Sequence, residues 1–106
     1  MKFKELRKIV GGWDGARNRE DDEATNIIIY DKLAWACSNN YGGPTLPSQM
    51  AGLHTENINL IVPLTDELLS ALMFVFPKLT NKEWLSGGHD YRRVKVAEFI
   101  REWVKK

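Results

Sequence analysis

The residues best equipped for chemistry gather in one short stretch, His89-Asp90-Tyr91-Arg92-Arg93, with Lys95 just beyond it. Two adjacent guanidinium groups can grip a carboxylate or phosphate through forked, charge-assisted hydrogen bonds. The neighbouring phenol and imidazole add hydrogen-bonding and stacking surface. Residues from Asp90 to Val104 carry the spacing of an α-helix, about 100° per residue. Val96, Ala97, Phe99, Ile100, Trp103 and Val104 then share one arc, and Lys95, Glu98, Arg101, Glu102 and Lys105 occupy the other. Arg92 and Arg93 break the pattern by falling on the apolar side of the first turn. Two unpaired cations cannot sit in a core. Either this turn overhangs the core and the side chains snorkel to water, or it faces an anionic partner at the domain edge. The second reading marks His89, Tyr91, Arg92, Arg93 and Lys95 as partner-binding. On that reading, replacing Arg92 and Arg93 by alanine leaves the fold intact and weakens the partner complex.

A second candidate is the loop Asn39–Pro47, where Tyr41 stands among glycines, asparagines and prolines. Long ordered loops of this composition often carry binding, so Tyr41 joins the candidate contact residues.

Catalytic patterns are sparse. His54 with His89-Asp90 resembles the separated His and His-Asp pair of HD-type metal phosphohydrolases, with Glu98 or Glu102 needed to complete the ligands. The flanking sequence lacks the apolar setting of that family and the last ligand does not match it. Cys37 is the only cysteine, which excludes an internal disulfide and a Cys/His zinc site. Its neighbours Ala34, Trp35 and Ala36 point to a buried, inert thiol. No serine or cysteine is linked to a base, and neither Gly42-Gly43 nor Gly87-Gly88 precedes the Lys-Ser/Thr of a phosphate loop. The expectation is a non-enzymatic protein without metal or cofactor.

A helix-turn-helix reading uses the same basic turn. A short helix, a Gly-Gly turn and a helix beginning near His89 have that outline. Charge argues against it. The chain is +1 overall, with residues 1–20 at +3, 21–40 at −3, 41–88 at −2 and 89–106 at +3. DNA affinity rests on a larger basic excess. Basic ends around an acidic middle suit a protein partner, one with an acidic surface if the two termini share a face.

The elements that must hold these residues follow from spacing and caps. Phe3, Leu6, Ile9 and Val10 recur helically until Gly11-Gly12 stops them. Trp13 to Glu20 reads as a loop, and Asp21-Asp22-Glu23 as an acidic helix start. Residues 24–38 are ambiguous. Thr25–Tyr30 has strand composition, while Asp31–Cys37 has helix composition, and no glycine or proline turn divides them. One buried helix is the favoured reading, and a strand over Asn26–Tyr30, paired with the extended run Glu56–Pro63, competes with it. Ser48–His54 suggests a helical turn. Thr65 caps a strongly apolar helix ended by Pro77, which should be the core helix. Thr80 and Glu83 form a capping box ahead of Trp84, and Gly87-Gly88 ends that helix.

A hydrophobic fraction of 43% excludes a disordered chain, and 106 residues suit one domain, 1–106. The expected fold is mainly α, four to five helices with room for one two-stranded β pair, α+β being the alternative. Met1–Glu5 lacks the apolar run of a signal peptide, and Ala71–Phe76 is too short to span a bilayer. The expected setting is therefore cytoplasmic, away from membranes. The expected function is direct protein contact, as in small regulators, inhibitors, immunity-type or antitoxin-type proteins. The DNA-binding regulator and the small metal-dependent hydrolase stand as alternatives.

Overall fold

Residues 24–38 decide the architecture, and they are two strands rather than a helix. The computed structural model describes residues 1–12, 21–40, 43–45 and 58–105. In chain order these form α1 (Phe3–Val10), β1 (Ala24–Tyr30), β2 (Leu33–Asn40), β3 (Gly43–Thr45), β4 (Ile58–Pro63), α2 (Asp66–Val75), α3 (Asn81–Leu85) and α4 (Asp90–Trp103). The sheet is antiparallel with order β3-β2-β1-β4. Three strands are full length, and β3 adds three residues at one edge. This is an α+β fold, which overturns the mainly α, all-helical expectation.

The physical reason lies in the side chains. Ile27, Ile28 and Ile29 are all buried. Such a continuous β-branched run fits a central strand covered on both faces. Ile27 stands opposite Ala36 and Val62, and Ile29 opposite Ala34 and Leu60. These residues form one face and pack with Phe3, Leu6, Ile9, Val10, Val96, Ala97 and Ile100 of α1 and α4. On the other face, Ile28 and Cys37 are buried, with Tyr30 and Trp35 packed against them. The alternation Ala34, Trp35, Ala36, Cys37 is thus a period of two, not a helical surface.

The turn between the strands is Asp31-Lys32, with φ of 49° and 74°. Two positive φ values are what a tight two-residue hairpin demands, a place usually taken by Asn-Gly or Asp-Gly. Lys32 fills the glycine position, which is why the sequence carries no turn signature there. Asp21–Glu23 accordingly leads into β1 instead of starting a helix. The strand Asn26–Tyr30 does pair with the run ending at Pro63.

The helix boundaries follow their local signals. Thr65 accepts a hydrogen bond from the Leu68 amide at 3.1 Å. Thr80 and Glu83 make both bonds of the capping box, at 3.1 and 3.0 Å. Only one side of α2 is core: Leu68 and Leu72 are buried, whereas Met73, Phe74 and Val75 are exposed. At its C-terminal end Phe76 meets Phe99 edge-on at 5.9 Å, and Phe99 stacks on Trp103 at 6.2 Å. Ser48–His54 and Trp13–Glu20 lie outside the described residues. Among the described residues no helix is long and apolar enough to cross a membrane.

Candidate functional site

The first turn of α4 is built around the end of α1. Gly11 and Gly12 leave α1 with φ of 96° and 87°, a conformation open to glycine. A side chain at Gly11 would approach the His89 Cβ to 2.9 Å, and one at Gly12 would meet the Arg93 side chain at 3.2 Å. The two glycines let the start of α4 sit directly on the exit of α1.

Arg92 exploits that closeness. Its Nε donates to the Ile9 carbonyl at 2.7 Å, and Nη2 donates to the Pro77 carbonyl. Its guanidinium also lies 5.9 Å from the Phe76 ring centroid. The last carbonyls of a helix have no partner within it and carry partial negative charge. Arg92 therefore acts as a cationic C-cap for α1, delivered from another element. Burial pushes its pKa below the ordinary arginine value, an effect opposed by Glu83 nearby. Leu79 adds a second cap by donating its amide to the Lys8 carbonyl at 3.0 Å.

Arg93 is turned to the other side. It pairs with Asp90 and stacks on Trp35, with its guanidinium carbon 4.2 Å from the ring centroid. Its Nε and Nη1 are buried and have no hydrogen-bond partner among the described residues, so the indole face takes that place. His89 Nε2 lies 3.1 Å from the Trp84 carbonyl, a contact that needs the proton on Nε2. Of the predicted cluster, His89, Arg92 and Arg93 thus turn onto the body of the domain. Tyr91 is exposed, and the Lys95 ammonium stands 5.4 Å over its ring while reaching Glu98 at 3.5 Å. Tyr41 lies outside the described residues, as does His54. Among the described residues no three His, Cys, Asp or Glu side chains gather to hold a metal.

Arg7 of α1 is a buried neighbour of this site. Its guanidinium lies 4.9 Å from the centroid of the Phe3 ring and 5.0 Å from that of Trp84. Trp84 in turn donates from Nε1 to the Gly12 carbonyl at 3.0 Å. Cation–π contact with both rings helps a charged group tolerate that depth.

A different surface is left open. Phe74 on α2 is 90% exposed, flanked by Met73 and Val75 at about half exposure. Sequence reading assigned this stretch to the core because nearly every residue in it is apolar. The signal that separates the two sides is angular. At about 100° per residue, Phe74 falls with Glu67 and Ser70, across the helix from Leu68 and Leu72. Elsewhere, a cleft of about 660 Å³ is lined by Asp31, Lys32, Leu60, Arg101, Val104 and Lys105. It is open, with Asp31 the carboxylate among these lining residues. No protein-family model, no curated protein and no solved structure matches the chain.

Proposed function

We propose that this chain is a non-enzymatic protein-binding module of the regulator, inhibitor, immunity or antitoxin type, and that its contact face is the outward side of α2. The observation that carries the reading is Phe74, 90% exposed on a helix otherwise anchored by Leu68 and Leu72. A large aromatic ring standing free beside two further apolar side chains suits the central anchor of a protein interface. The complementary surface is an apolar recess on another protein that accepts one phenyl ring. Tyr91 and Lys95 remain available as outlying contacts, whereas Arg92 and Arg93 are occupied within the domain. A cytoplasmic setting fits the single, buried Cys37.

The test places a photo-crosslinking amino acid at position 74 in living cells. A discrete protein adduct is expected from position 74 and not from exposed Asp31, used as the control. If position 74 yields no more adduct than the control, α2 is not a contact face.

A further inference from the structure

The open cleft of about 660 Å³ takes its lining from the β1–β2 turn, from β4 and from the end of α4. Three cations line it, Lys32, Arg101 and Lys105, against the single carboxylate of Asp31, and Leu60 and Val104 make its apolar part. Lys105 shares its ammonium with Glu102 at 3.2 Å. The Lys32 and Arg101 side chains make no ion pair or hydrogen bond among the described residues. These same two residues also line an adjoining hollow of about 170 Å³ with Val94, Ala97 and Glu98, the last held by Lys95 at 3.5 Å. Lys32 keeps its long side chain at φ 74°, a conformation that glycine adopts at lower cost.

We propose that this cleft binds a small organic phosphate monoester, its phosphate held by Lys32 and Arg101 and its apolar body laid on Leu60 and Val104. The site is separate from the α2 face, since no α2 residue lines it. Its volume lies within the range of small-molecule sites, roughly 300–1,000 Å³. Three cations less one carboxylate leave a charge of +2. A phosphate monoester carries close to two negative charges at neutral pH, so the two match. Like charges gathered on a concave surface concentrate anions there. A guanidinium grips two phosphate oxygens in a fork, and an ammonium adds a point charge beside it. Inorganic phosphate gains the same charge pairing but leaves Leu60 and Val104 in water. The apolar body therefore adds affinity that the phosphate group alone lacks.

Phenyl phosphate is the probe, titrated to about 10 mM into the isotope-labelled chain while its backbone amide resonances are followed, a range that covers millimolar affinity. Saturable shifts are expected at Lys32, Leu60, Arg101 and Val104, at lower concentration than with inorganic phosphate, and none with phenol. Arg101→Gln and Lys32→Gly should each weaken binding about tenfold or more, as loss of a charged donor does. Lys32→Gly separates binding from folding, because the same change relaxes the turn and removes the cation. Asp31→Asn should tighten binding. At about pH 8 phenyl phosphate is a dianion with no proton to donate, so the carboxylate only repels it, and asparagine accepts the positive φ of that position. Absence of saturable shifts at these four residues overturns the proposal. So does affinity unchanged in both Arg101→Gln and Lys32→Gly, or inorganic phosphate binding as tightly as phenyl phosphate.

Discussion

Arg92 Nε donates to the Ile9 carbonyl at 2.7 Å, so the first turn of α4 caps the last turn of α1. The same guanidinium holds the Pro77 carbonyl at the end of α2. One cation thus ties three helix ends together. Arg92→Ala leaves two carbonyls without their donor. The expected loss is about 2 kcal/mol, the scale of a hydrogen bond from a charged donor. Arg92→Lys should recover less than half of it, since one ammonium cannot reproduce the guanidinium fork. Urea unfolding of the three proteins measures this. Equal midpoints would make Arg92 a surface side chain, as the partner-binding expectation required.

Gly11→Ala is expected to cost about 2–3 kcal/mol, combining a left-handed backbone with a new contact. The added methyl would meet the His89 Cβ at 2.9 Å, and that atom is fixed by the backbone of α4. Thermal unfolding is the measurement. A fall in melting temperature no larger than that of an exposed helix-surface alanine would mean that the two helices separate easily.

Which parts of the fold were legible follows from the range of their causes. Thr65, Thr80, Glu83 and the Gly11 stop act within one helical turn, so sequence alone located them. The β1–β2 hairpin was hidden because Lys32 occupies a position that asks for glycine. That mismatch has a measurable consequence. Lys32→Gly should stabilise the fold by about 0.5–1 kcal/mol, since glycine relieves the positive φ. Guanidinium unfolding with an unchanged slope would show it; a destabilised variant would mean that the lysine side chain contributes more than its backbone costs.

The acid side of the stability curve should depend on three carboxyls, Glu5, Glu83 and Glu23, the last held down by the terminal ammonium that donates to it at 2.7 Å. The Lys78 ammonium, bonded to Glu5 at 2.6 Å and helped by Lys8, holds that carboxyl below its ordinary value of 4.5. Bonds from Thr80, backbone first, hold Glu83 below the same value. A carboxyl lowered in the folded chain stabilises it above the unfolded value, and this is lost as pH falls through the folded value. Melting temperature should therefore drop below about pH 4.5. Glu5→Gln and Glu83→Gln should each flatten that drop while leaving the neutral-to-alkaline limb in shape. An acid limb as steep as the parent's in both variants would leave Glu23 as the lowered carboxyl that sets it.

The candidate site was legible in direction but not in destination. Plotting α4 as a helix correctly turned Arg92 and Arg93 toward its apolar side. What they meet there, Ile9 at a separation of 83 residues and Trp35 on a strand read as helix, is tertiary information. The reverse held for α2, where composition suggested a core and the angular positions of Glu67, Ser70 and Phe74 already argued for an outward face.

That face yields the sharpest contrast in stability, two residues apart on one helix. Leu72 is fully buried among core side chains, and Leu72→Ala should cost about 2–5 kcal/mol through lost burial and a cavity. Phe74 is larger, yet it is 90% exposed. Phe74→Ser removes almost no buried surface, so at low micromolar concentration its unfolding free energy should stay within about 0.5 kcal/mol of the parent. Chemical unfolding of both variants in the same buffer makes the comparison. A Phe74→Ser loss approaching that of Leu72→Ala would mean that the ring supports the fold of its own chain. Parity with the parent leaves association as the reason for an aromatic ring in that position.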